Sequence, residues 1–106
     1  MDDQQFRDLA DGALQDLQHR LVSASDQYTF DADFNNGALT IEFEDAPARF
    51  VVSPNSPVRQ IWVSAHMKSH KLDWDPAKNA FAANGQTLVE LIAEAISKQL
   101  DEEVTL

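Results

Sequence analysis

Carboxylates dominate the side chains that could do chemistry. The 106 residues carry 18 acidic against 8 basic groups, a formal net charge of -10, with three histidines, two tryptophans and no cysteine. Hard cations prefer oxygen ligands of this kind. Asp31, Asp33, Glu42 and Glu44 share the outward parity of a hairpin, and Asp8, Asp11 and Asp16 fall on the polar side of a first helix. Asp26 sits in the connection between the two. Carboxylates placed this way make an open surface rather than an enclosed cage, so a metal would be held weakly. The same acids also read as a solvated face that keeps the protein soluble, with the earliest serving the helix dipole.

The imidazoles add little to this. His66 and His70 are four apart, but a turn expected around Met67-Lys68-Ser69 separates them, so they are not a helical metal pair. His19 stands by itself on the helix surface. The absence of cysteine removes disulfides, thiolate metal sites and cysteine nucleophiles. No spacing of serine, histidine and acid makes a triad, and with three glycines there is no phosphate loop. Paired carboxylates could act as acid and base, yet these read as exposed rather than tuned by burial. The expectation is a protein that is not an enzyme. Its acidity argues against a nucleic-acid backbone as partner and fits a basic protein or a cation.

Trp62 is the most informative single residue. In the strand expected over Gln60 to Ala65, Ile61, Val63 and Ala65 have core parity, while Gln60, Trp62 and Ser64 have the other. A tryptophan on the polar side of a sheet is a candidate binding hot spot, because it buries a large area at low entropy cost. Ser53, Asn55 and Ser56 lie just upstream and could line the same patch. Two structural alternatives stand beside this one. A bulge could turn the ring inward, or the ring could simply cover neighbouring side chains.

The elements that must position these residues follow from periodicity. Phe6, Leu9, Ala10, Ala13, Leu14, Leu17 and Leu21 fall on one helical stripe. Asp2 with Gln5 resembles a capping box, and His19 and Arg20 suit the negative pole at the far end. Gly12 within that helix should cost about 1 kcal/mol relative to alanine. Phe30, Ala32 and Phe34 then alternate with polar residues, Asn35-Asn36-Gly37 signals a turn, and Leu39, Ile41 and Phe43 alternate in turn. A turn at Asp45-Ala46-Pro47 leads to a strand over Arg49 to Ser53, a loop over Pro54 to Pro57, and the Trp62 strand. Two shorter strands are expected around Lys71 to Trp74 and Ala80 to Ala82. Thr87 and Glu90 make a capping box for a last helix with Leu88, Leu91, Ile92, Ala95, Ile96 and Leu100 inward, and the apolar tail Val104 to Leu106 should pack on the domain.

Half-apolar strands need cover on one face only, and each helix has one apolar stripe. The expected fold is therefore α+β. It is a two-layer sandwich, with N- and C-terminal helices on one face of an antiparallel sheet of five to six strands, in one domain spanning residues 1–106. Apolar runs are far shorter than the ~18 residues that span a bilayer, so no membrane association is expected. No basic leader followed by an apolar segment is visible. That fits a cytosolic protein as made, or an organellar one stripped of its leader.

The run Pro57-Val58-Arg59-Gln60-Ile61-Trp62-Val63-Ser64 resembles the most diagnostic segment of the frataxin family, whose bacterial branch is called CyaY. Leu9-Ala10-Asp11, the hairpin segment Asn36 to Phe43, Asp73-Trp74 and the helix entry Gly85 to Leu91 agree with it. The resemblance covers essentially the whole chain. It implies a monomer that binds the cysteine desulfurase and scaffold complex building iron–sulfur clusters, modulates sulfur transfer, and binds iron (Fe²⁺ or Fe³⁺) weakly on an acidic ridge. The ridge positions carried over are Asp16, Asp26, Asp31 and Asp33, with Glu42 and Glu44 as neighbours facing the partner. On the sheet surface Gln60 and Trp62 match directly, Asn55 is an amide substitute nearby, and Ser64 flanks them. The implied location is the bacterial cytoplasm, or the mitochondrial matrix for a processed eukaryotic form. A stand-alone iron-binding, iron-storage or ferroxidase-type protein is the alternative, motivated by the acidic hairpin.

The chain also departs from the family pattern. Where members carry consecutive acids at the end of the first helix, it reads Gln18 to Ser25, so the ridge is thinned at its centre. His19 could add one nitrogen ligand there. The asparagine that begins the interface loop is Ser53 here, the glycines after the tryptophan strand are replaced by Met67-Lys68-Ser69-His70, and Phe81 is the nearest aromatic to a missing late tryptophan.

Overall fold

A computed structural model describes residues 1–28, 30–35, 37–44, 48–65 and 68–106. The element order is α1 (Asp3–Ser25), β1 (Phe30–Asn35), β2 (Ala38–Phe43), β3 (Arg49–Asn55), a 3-10 turn (Ser56–Val58), β4 (Gln60–Ala65), β5 (Lys68–Asp75), β6 (Ala80–Ala83), β7 (Gln86–Thr87) and α2 (Leu88–Leu100). Among the described residues the sheet has seven strands, more than the expected five to six, in the order β1 to β7. Every neighbouring pair is antiparallel, so the sheet is a simple meander.

The seventh strand escapes periodicity because it is two residues long. It exists through its turn. Asn84 and Gly85 have φ of 53° and 80°, the pair of positive values that a two-residue hairpin requires, and Ala83 then pairs with Gln86.

Both helices lie on one face, as expected, and α1 packs against β1 and β3 while α2 packs against β6 and β7. Asp2 caps α1 by accepting the Gln5 backbone N–H at 2.7 Å. Phe6, Ala10, Leu14, Leu17 and Leu21 are buried, with Leu9 and Ala13 packed against them. Gly12 is exposed, and a Cβ added there would meet nothing. The helix runs one turn past Leu21, so its last turn holds no basic residue. His19 and Arg20 therefore do not cap its negative end. Arg20 instead pairs with Asp16 at 2.8 Å and reaches the Leu106 carbonyl at 3.4 Å. The tail is held to the domain, with Val104 buried and its N–H donating to Ser97 Oγ at 2.9 Å. At α2 both halves of the Thr87–Glu90 capping box are formed.

The core fills the space between helices and sheet with Phe6, Phe30, Phe50 and Phe81 fully buried. Phe81 packs edge-on to Phe6 at 5.8 Å and to Trp74 at 5.2 Å, so it joins α1 to the far half of the sheet. Phe34 is a correction. Its parity follows Phe30 and Ala32, yet it is 40% exposed. It lies at the end of an edge strand, where α1 offers only Gln15, Gln18, His19 and Val22 beside it.

Two boundaries also move. Pro54 and Asn55, expected in a loop, continue β3 and pair with Ile61 and Gln60. Proline is tolerated because β2 stops pairing with β3 at Val52, leaving that side of the strand open. Lys68 and Ser69, expected in a turn, are strand residues opposite Ala65 and Ser64. The expected turns at Asn36, at Asp45-Ala46-Pro47 and at Met67, together with His66, fall on residues outside those described. No helix among the described residues is long and apolar enough to cross a membrane.

Candidate functional site

Strand β4 divides its side chains as the parity requires. Ile61, Val63 and Ala65 are buried under the helices, and Gln60, Trp62 and Ser64 face the other way. The registers of β4 with β3 and with β5 run without interruption, so no bulge turns Trp62 inward. The indole is 38% exposed.

Its orientation is fixed by neighbours. Trp62 Nε1–H donates to Gln60 Oε1 at 3.0 Å, and the Gln60 amide donates to Asp73 Oδ1 at 3.0 Å. On the next strand Lys71 lies directly across from Trp62, with its ammonium 5.1 Å from the ring centroid. At an exposed position such a cation–π contact is worth about 0.5–1 kcal/mol. Ser53 opposes Trp62 from β3, and Asn55 opposes Gln60, which places the amide as expected. Ser64 sits further along, between Val51 and Ser69. Lys71 and Asp73 were not read as site residues from the sequence, although Asp73 entered the family match. Their alternation about buried Leu72 was legible, but the register that sets them beside Trp62 and Gln60 was not.

The turn leading into β4 is also constrained. Arg59 adopts a left-handed conformation at φ 52°, and its guanidinium pairs with Asp3 at 3.1 Å, tying the start of β4 to the first turn of α1.

The carboxylates present a different picture. Asp31, Asp33, Glu42 and Glu44 are all exposed as expected. Asp31 sits directly opposite Glu42, Glu42 opposite Arg49, and Asp33 opposite Thr40. Asp16 is engaged by Arg20, and Asp26 is the exposed C-cap of α1. His19 is exposed on α1, beside Val22 and Phe34. Among the described residues no three of His, Asp and Glu converge on a point where they could hold a metal ion. The proposed ridge residues Asp16, His19, Asp26, Asp31 and Asp33 are therefore not gathered into one site. This donor set does not fit a resident iron; Asp31 and Glu42 face each other across the strands, with no third donor converging on them among the described residues.

A frataxin-like domain model matches residues 1–102. The chain belongs to the frataxin family. It is 29% identical over 106 residues to a Tolumonas auensis protein named iron-sulfur cluster assembly protein CyaY, covering 100% of this chain and 99% of that one. Its fold matches the solved frataxin from Psychromonas ingrahamii, of the CyaY protein family, with a TM-score of 0.77 at 26% identity, over 99% of this chain and 97% of the other. The frataxin assignment made from the Gln60-Ile61-Trp62 segment thus holds over essentially the full length.

Proposed function

We propose that this frataxin is a non-enzymatic regulator of iron–sulfur cluster assembly, docking its open sheet face on the cysteine desulfurase and scaffold complex. The observation that carries this reading is Trp62, a large apolar ring left on the uncovered face and held by Gln60, Asp73 and Lys71. The Tolumonas relative, 29% identical, is named an iron-sulfur cluster assembly protein, which supports this reading. A ring already oriented loses little freedom on binding, which is the economy of a hot spot. Asn55, Ser53 and Ser64 supply polar groups around it. Glu42 and Glu44, with Asp31 and Asp33, would meet basic residues of the partner and speed encounter.

The test is capture of a purified desulfurase–scaffold complex by wild type and by Trp62→Ala. Unchanged capture by a folded variant would sink the hot spot.

Iron enters this reading as a weakly held, solvated cation. The Asp31–Glu42 pair is the observation that favours the second reading, a stand-alone iron-binding protein. Iron titration of Asp31→Asn/Asp33→Asn separates the two. Unaltered iron binding would remove these acids from any iron role.

A further inference from the structure

Positive charge in this acidic chain gathers in a cleft on the helix side of the sheet. The cleft, about 470 Å³, opens between the β4–β5 end of the sheet, the β6–β7 turn and the second half of α2. Its polar lining is Lys68, His70, Asn84, Gln86, Glu94 and Lys98. The register explains why β5 contributes two of these. Lys68 opposes Ala65 and His70 opposes Val63, both buried core residues, so alternate positions of β5 put an amine and an imidazole on the helix-covered face.

Glu94 offsets one of the two ammonium groups, Lys98, and leaves Lys68 in excess. Its carboxylate accepts the Gln86 side-chain amide and pairs with Lys98 at 3.1 Å. These contacts, the Gln86 amide first, hold its carboxyl below the ordinary glutamate value, with a smaller contribution from His70 across the cleft. Glu94 is thus matched by Lys98, and it fixes Lys98 at the cleft wall. Lys68 and His70 make no ion pair or side-chain hydrogen bond among the described residues. Leaving His70 aside, the lining carries two ammonium groups against one carboxylate, in a chain whose formal net charge is -10. The apolar lining between these groups is Ala65, Ala83, Leu91 and Ala95, three of the four small enough to leave room for a short carbon skeleton.

We propose that the cleft between β5, the β6–β7 turn and α2 is a binding site for a small organic oxyanion, a carboxylate or a phosphate, held by Lys68 and Lys98 with the Asn84 amide and His70 as further donors. It is separate from the Trp62 face, which points to the opposite side of the sheet. A ligand here would bridge the sheet edge to α2, so occupancy would be felt in the packing of that helix.

The probes are sodium phosphate and sodium succinate, added separately to the full chain at constant ionic strength while amide resonances are followed by NMR. The expected result is saturable shifts, with either probe, confined to residues 68–70, 84–86 and 94–98. Saturation by phosphate but not succinate assigns the site to phosphate groups, and the reverse assigns it to carboxylates; each supports the site. Lys68→Gln and Lys98→Gln should each weaken that binding at least tenfold, while Lys78→Gln, outside the cleft lining, leaves it unchanged. Shifts that fail to saturate, that appear equally with sodium chloride, or that persist undiminished in Lys68→Gln/Lys98→Gln would overturn the proposal.

Discussion

The polar surface opposite the helices is built in two ways. Around β4 and β5 each functional group is held by another: indole to Gln60, Gln60 to Asp73, and Lys71 over the ring. Around β1 and β2 the carboxylates make no ion pair among the described residues, and Asp31 faces Glu42 with like charge. Held groups spend their freedom at folding and keep binding specific; free charges act at a distance and are screened by salt. The difference assigns affinity to the tryptophan end and encounter rate to the acidic end.

The largest effect that would break this comparison is at Trp62. Trp62→Ala should cost about 2 kcal/mol or more in affinity for the desulfurase–scaffold complex, the range of an interface hot spot. Its melting temperature should stay close to wild type, because the ring packs no core. A matching loss in Asp31→Asn/Asp33→Asn, measured by calorimetry, would abolish the distinction.

Gln60→Ala tests whether holding the ring matters. Removing the bridge between Trp62 and Asp73 should weaken binding by about 1 kcal/mol, the scale of one such hydrogen bond. The Trp62 indole N–H should lose its distinct resonance in the free protein. An affinity equal to wild type with a mobile indole would show that orientation is irrelevant.

Thr87→Ala serves as a control remote from both regions. It breaks the α2 capping box and should lower folding stability by about 1 kcal/mol, read by urea titration, with partner binding unchanged. The same box carries a pH signature. Glu90 is held below its ordinary value of 4.5, chiefly by the Thr87 backbone N–H and then by the Thr87 side chain. A depressed carboxyl stabilises the fold above 4.5 and loses that contribution as pH falls through the folded value. Glu90→Gln should therefore flatten the acid limb of the stability profile; an unchanged limb would remove Glu90 from it.

The smallest effect belongs to the acids. Asp31→Asn relieves the repulsion with Glu42 and should raise stability by roughly 0.2–0.5 kcal/mol, since like charges directly opposite disfavour a strand pair. With Asp33→Asn added, association should slow several-fold at low ionic strength and little at high salt in stopped-flow mixing. A salt-independent rate would deny the acidic end its role.

Much of this was legible because apolar spacing reports burial directly. The stripe from Phe6 to Leu21, the alternation about Ile61 and Val63, and the Thr87–Glu90 box all appear where the residues place them. What failed to show was whatever depends on partners distant in sequence. Phe34 has core parity but lies at the end of an edge strand beside Gln15, Gln18 and His19 of α1, and β7 is too short for a period. Lys71 and Asp73 join Trp62 only through the β4–β5 register. The acidic ridge was legible as a set of outward positions, but spacing cannot say whether such carboxylates converge.

The uninterrupted meander has a consequence for how the chain assembles. Each strand finds its partner in the strand just made, so every pairing in the sheet closes over a short loop and carries little closure entropy. The exception is α1, which precedes the sheet in the chain and has no floor until β1 to β3 are in place. Its apolar stripe must wait, and the Arg59–Asp3 pair joins it to β4 only after the sheet is half built. During synthesis the first helix is thus the segment most in need of protection, and the sheet provides its own template.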